Sequence, residues 1–303
     1  MELVRYRDWR ETCIALHMML QMMGKVKLET MEPQPEWGQV LLHAEPGGFT
    51  TGLMPVGTGG FEIRLSVANA RMEAVTTRGT GSSFSFSGTI SIADVYDRFN
   101  AILANAGHPC KINPVPQEMF TAVPFDEQLA PVEFDVECAQ RAFEQFLFAQ
   151  SALLEFSAPF RGKKIPPSLF WGTFDMTTVL FSGKPCPFHG DGSLVERVAF
   201  DEQFVEFGFW PGDEDVNDPS FFALAYPFLE EGSSEDVGPS QAYYDPSQAE
   251  YFLRLEDALC SGDPSAAVVR FCQDAFASVA KRQGWNDVEW LFAPLLNASA
   301  FAD

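Results

Sequence analysis

Positive charge is scarce in this chain. Twenty lysines and arginines stand against 42 aspartates and glutamates in 303 residues, so the formal charge is −22 with the four histidines neutral. Such a field opposes phosphate backbones and anionic lipid heads, whose binding needs clustered Lys and Arg. Neither nucleic acid nor a membrane surface is therefore an expected partner. The deficit is uneven, since Arg254 is the single basic residue between Asp201 and Asp257. That region reads as a solvated acidic flank.

Long apolar runs are missing as well. No stretch approaches the roughly 18–20 uninterrupted apolar residues that span a bilayer, and Met1 to Arg10 is too charged for the apolar segment of a secretory signal. Cys13, Cys110, Cys138, Cys186, Cys260 and Cys272 stand singly with no C-x-x-C pair, so the expected setting is reduced and cytoplasmic. There is no glycine fingerprint for a dinucleotide or phosphate loop, no G-x-S-x-G elbow and no protease-like cysteine. No cofactor is expected. Asp213-Glu214-Asp215-Val216-Asn217-Asp218 alternates oxygens as a calcium loop does, but its sixth position is Asp218 instead of Gly and its twelfth is Leu224 instead of Glu. His189 near Cys186 lacks a second pair at zinc spacing.

What is abundant is aromatic. Twenty-nine phenylalanines and six tryptophans, within a 46% hydrophobic composition, supply a large core and rings suited to pocket walls. Trp9 to Met23 reads as a helix that is apolar almost all round, stopped by Gly24. Its Trp9, Cys13, His17 and Gln21 recur every four residues on one stripe. From Val40 to Phe86 short runs are broken by Gly and Pro, and Phe61 to Val67 alternates with the period of a half-buried strand. Ser91 and Asp94 open a helix that Gly107 closes. Pro114, Pro116, Pro124 and Pro131 make a stiff connector, after which a helical pattern runs from Phe134 to Phe156. Strand-like runs follow at Leu169 to Phe174, Thr177 to Phe181, Glu196 to Phe209, Phe221 to Tyr226 and Glu250 to Leu255. A last helix opens at Asp263-Pro264 and closes before Gly284.

Strands bracketed by helices predict an α+β fold with mainly antiparallel sheets packed against long helices. Gly24-Lys25 with Trp37-Gly38, and Gly162-Lys163 with Trp171-Gly172, prompt a comparison of two halves, 1–125 and 126–303, as an internal duplication within one globule.

The series Trp9, Leu16-His17, Gln21, Gly24-Lys25, Phe170 to Asp175, Phe181-Ser182-Gly183, Gly208 to Gly212 and Ala225-Tyr226-Pro227 resembles the family catalogued as domain of unknown function 5996, nearly end to end. The resemblance implies no established activity. It also exposes departures: the family pattern has His-Trp-Trp where Pro35-Glu36-Trp37 stands, and Ser-His-Glu where Phe200-Asp201-Glu202 stands. Arginines are expected at the positions of Gly47, Val179 and Lys184. Losing them removes charge and bidentate donors from any site they formed.

Candidate catalytic residues are His17, as a base oriented by Gln21, and Asp175, whose aromatic surroundings can raise its pKa. Each has a structural alternative: His17 as a satisfied core histidine, and Asp175 as a turn residue accepting backbone N–H bonds. Lys25, Lys163 and Lys184 are candidates to meet an anion, or are ordinary solvated lysines. The expected function is binding of, or metal-independent chemistry on, a small organic ligand in an aromatic-lined pocket near Trp171, Asp175, Lys184 and Trp210, with Gln21, Lys25 and Tyr226 as further ligand contacts. The alternative is a non-catalytic scaffold or protein-interaction module whose aromatic motifs are core.

Overall fold

The alternating run at 61–67 becomes the central strand of a sheet in a computed structural model that describes residues 1–229, 231–234 and 237–295. The first sheet contains β1 (His43–Glu45), β2 (Gly48–Thr50), β3 (Met54–Val56), β4 (Gly59–Ser66), β5 (Arg71–Thr76) and β6 (Gly81–Ser85), in the order β1-β2-β4-β5-β6 with β3 also on β4. All its pairs are antiparallel. Phe61, Ile63 and Leu65 of β4 are buried while Glu62 and Arg64 are only half-buried, which is the two-residue period made physical. Strands β7 (Gly88–Ile90) and β8 (Val132–Phe134) form a separate antiparallel pair.

The second sheet contains β9 (Lys164–Phe170), β10 (Asp175–Pro185), β11 (Glu202–Trp210), β12 (Ser220–Tyr226), β13 (Tyr243–Asp245) and β14 (Glu250–Arg254), in the order β13-β14-β12-β11-β10-β9. The helices are α1 (Arg10–Thr30), α2 (Ile92–Asn105), α3 (Val136–Ser157), α4 (Leu194–Ala199), α5 (Leu255–Leu259), α6 (Pro264–Gln283) and α7 (Val288–Leu291). The fold is thus α+β with antiparallel sheets. Among the described residues two compact units are present: residues 1–147, 168–176 and 210–219 form the first, and 148–167, 177–209 and those from Ser220 onward the second. The two Trp-Gly pairs occupy unlike places, Trp37-Gly38 in a 3-10 segment (Pro35–Val40) and Trp171-Gly172 in the turn between β9 and β10, so they do not establish a duplication.

Several helix signals act as their chemistry requires. Ser91 accepts the amide of Asp94 at the start of α2, Asp263 accepts that of Ala266 at the start of α6, and Gly284 ends α6 in the left-handed conformation. Three readings of local structure are corrected. Leu169 to Phe174 is not a strand throughout, because residues 171–174 form the hairpin turn closed by the Phe174 amide on the Phe170 carbonyl at 2.8 Å. Glu196 to Phe209 is not continuous either, since Ser193 and Glu196 form a reciprocal capping box that starts α4 ahead of β11.

The third correction concerns Gly24. Helix α1 passes through it and buries Lys25, Val26 and Lys27 before ending at Thr30. Glycine costs a helix interior about 1 kcal/mol relative to alanine, which is why the residue reads as a stop. The reason it sits mid-helix is the Trp171 ring: a Cβ on Gly24 would lie 2.2 Å from the indole Nε1 and 2.3 Å from Cδ1. The indole in turn donates from Nε1 to the Val40 carbonyl at 3.0 Å, so it has little room to retreat. Gly24→Ala is expected to destabilise the protein by about 3 kcal/mol despite the better helix propensity, as overpacking of a filled interior does. Urea unfolding checks it, and a midpoint equal to or above wild type would contradict the packing account.

Candidate functional site

Within the first unit the polar stripe of α1 faces two irregular segments, residues 115–118 and the turn at 171–174. His17 Nε2 lies 2.8 Å from the Trp171 carbonyl and 3.1 Å from that of Gly172. Both are acceptors, so Nε2 carries the proton and the neutral ring has its lone pair on Nδ1. The 3.1 Å approach of Gln21 Nε2 to the same nitrogen then brings two donors together and is not a hydrogen bond. Gln21 instead clamps the backbone of Gln117, donating to its carbonyl at 2.7 Å and accepting its amide at 2.8 Å. One helical turn further on, Lys25 donates to the Val115 carbonyl at 3.0 Å, with its ammonium 5.8 Å from the Trp171 ring centre.

The electrostatics follow from burial. Desolvation lowers the His17 pKa to about 4, outweighing the two carbonyls that favour the charged ring. At neutral pH His17 is uncharged, and its one N–H is taken by backbone. Phe174 stacks on the imidazole at 4.8 Å with 14° between planes. Burial also depresses the Lys25 ammonium. Asp175 is buried and accepts the Thr173 hydroxyl, the role of an Asp that fixes a turn.

The remaining candidates have other surroundings. Trp210 ends β11 in the first unit and is half-buried. Lys184 belongs to the second unit, where its ammonium donates to the Gly284 carbonyl at the end of α6, a favourable place for a cation. Lys163, also there, pairs with Glu202 at 2.9 Å. Tyr226 is packed among Phe188, Phe200, Phe204 and Phe228, and burial pushes its phenol up to about 12. Beside that cluster, Pro227, Phe228, Leu229 and Gln283 wall a groove of about 310 Å³.

The calcium-like run is spoken for by other groups. Asp213 Oδ1 accepts the amides of Asp215 and Val216, Glu214 meets Arg10 at 2.6 Å and the Tyr6 hydroxyl at 3.1 Å, and Asp218 meets Arg5 at 2.8 Å. Among the described residues no three His, Cys, Asp or Glu side chains converge as a metal site requires.

Residue types alone do not single out three further participants. Gln117 acts only through its backbone, which no side-chain motif can signal. Lys27 is buried and donates to the Leu41 and Thr51 carbonyls at 2.5 and 2.8 Å, and burial lowers its pKa to about 8. Glu118 holds φ at +55°, and its Oε2 lies 2.7 Å from where a Gly172 Cβ would be. The four prolines mark its segment as stiff without indicating what it touches.

The chain matches the model of the family of unknown function DUF5996 over residues 2–291 and belongs to that family. No curated protein and no solved structure matches it.

His17 and Lys27, two of the bases that burial depresses, make stability depend on pH. Between about pH 4 and 6.5 the unfolded chain protonates His17 while the folded chain does not, so its contribution is fully present above 6.5 and is lost as pH falls toward 4, by about 3 kcal/mol at most. His17→Gln, which keeps an N–H near the same carbonyls, is expected to flatten that slope relative to wild type in urea titrations. For Lys27 the sign is the same at a higher range. The charged ammonium opposes folding below about pH 8, and stability rises as pH goes from 8 to 10.5. In Lys27→Met that rise is expected to shrink, leaving the part due to other depressed amines such as Lys25; a rise as large as in wild type would show that Lys27 does not contribute.

Proposed function

We propose that the protein binds a small organic ligand at the crease where residues 115–118 meet the 171–174 turn above α1. The supporting observation is that each of these two segments holds a left-handed, non-glycine residue. Glu118 has φ of +55° and Phe174 +64°, while Glu36 and Trp37, at +52° and +55°, lie in the 3-10 segment whose Val40 carbonyl receives the Trp171 indole. Each such residue costs about 1–2 kcal/mol in an L-amino acid, and retained strain of this kind clusters where a binding geometry is held ready. His17, Gln21, Lys25 and Trp171 serve here as the frame, and Asp175 fixes the turn. A ligand role is favoured over catalysis by His17, whose proton is engaged by backbone and whose basicity is low.

The second reading, a scaffold or protein-interaction module, draws on a specific observation too. All the hydrogen bonds of Gln21, Lys25 and Trp171 described above go to backbone, the pattern of structural glue. A cytoplasmic, reduced setting fits either reading, since all six cysteines are free, and the −22 charge speaks against nucleic acid and anionic membranes.

A thermal-shift screen against metabolites of all charge types separates the two, because a ligand of the native state must raise its apparent stability. We expect at least one class of small molecule to raise the melting temperature and to perturb the backbone amides of 115–118 and 171–174 in NMR spectra. If no compound does so, the scaffold reading stands in its place.

A further inference from the structure

Resting on the ligand-site reading, we infer that the crease recognises a cationic nitrogen, an organic ammonium group, through the carboxylate of Glu118 held over Gly172. The placement of that carboxylate is built from both sides. On one side Lys25 and Gln21 fix the carbonyl of Val115 and both backbone groups of Gln117, so the residue that follows is delivered in its left-handed conformation. On the other, His17 and the Trp171 indole hold the turn. Every one of these framing side chains is buried and committed to backbone.

Glu118 is the exception. No hydrogen bond or ion pair engages its carboxylate among the described residues, and its side chain meets solvent. Glu118 is exposed overall, yet partial desolvation by the surrounding chain raises its carboxyl pKa. Gly172 fits the same account. Its φ lies outside the left-handed region, so its backbone does not require glycine, and the nearest atoms that a Cβ would meet are Oε2 and Cδ of Glu118, at 2.7 and 3.6 Å. The missing side chain at 172 is therefore the space the carboxylate occupies. An acceptor-only group without a donor, in a protein of charge −22, is complementary to a donor that carries positive charge.

The test uses n-butylammonium, with butanol and butyrate as neutral and anionic probes of the same chain length, titrated at matched ionic strength and followed by amide NMR at 115–118 and 171–174. Saturable shifts with n-butylammonium alone are expected. Glu118→Gln should weaken that binding at least tenfold, and Gly172→Ala, whose methyl displaces only the end of a flexible side chain, should weaken it while leaving the melting temperature near wild type. Glu137→Gln, which removes an exposed charge elsewhere, should leave binding unchanged. Equal response to butanol or butyrate, unchanged affinity in Glu118→Gln, or equal loss in Glu137→Gln overturns ammonium recognition. Butanol or butyrate acting at these amides would still uphold a ligand site. Silence there from the full metabolite screen sinks the site itself.

Discussion

The indole of Trp171 laid against Gly24 is the contact on which the first unit depends. An α-helix ordinarily keeps neighbouring backbone at a side chain's distance, and removing the Cβ at one position lets a large ring reach the helix surface itself. The ring then has one polar atom to satisfy in the interior, and the Val40 carbonyl takes it. One residue thereby ties α1, the end of the 3-10 segment and the β9–β10 turn into a single arrangement. The helix continues beyond Gly24 because this packing outweighs a propensity cost of about 1 kcal/mol, and only that continuation carries Lys25 and Lys27 to the carbonyls they reach.

Those carbonyls explain the polar residues of α1. Irregular chain packed against a helix brings backbone oxygens out of water without a ladder to pair them, and each must find a donor. The helix provides four: His17 to Trp171 and Gly172, Gln21 to Gln117, Lys25 to Val115, and Lys27 to Leu41 and Thr51. Using lysine for this has a consequence that amides avoid. An ammonium paired with neutral carbonyls keeps most of its desolvation penalty, which is why burial depresses both lysines and why, among the described residues, neither is balanced by a hydrogen-bonded carboxylate.

Signals that act through neighbouring residues are legible in the sequence alone. Ser91 and Asp263 cap their helices, Gly284 closes α6, and the alternation at 61–67 reports its own burial. Legibility fails where the cause lies far along the chain. Gly24 resembles a stop because its justification is a ring 147 positions away, and residues 171–174 resemble strand because apolar side chains do not reveal a turn braced by a helix. Of the candidate site, residue types draw attention to His17, Gln21, Lys25 and Trp171, which do converge. Gln117 and Glu118 carry no such signal, one acting through its backbone and the other defined by the space at Gly172.

Residue type also misleads about which atoms are left to act. Histidine, aspartate and lysine attract notice as chemical groups, yet in this fold His17 has its N–H on backbone, Asp175 holds a turn, and Lys184 caps a helix. The acidic run at 213–218 likewise has the outline of a cation loop while its oxygens are taken by Arg5, Tyr6, Arg10 and its own amides. A functional group must retain hydrogen-bonding capacity after the fold has satisfied its own needs, and that remainder is a property of the packed molecule. Around α1 the side chains richest in apparent chemistry are spent on geometry. The group they position, a carboxylate beside a glycine, is chemically the plainest of the set.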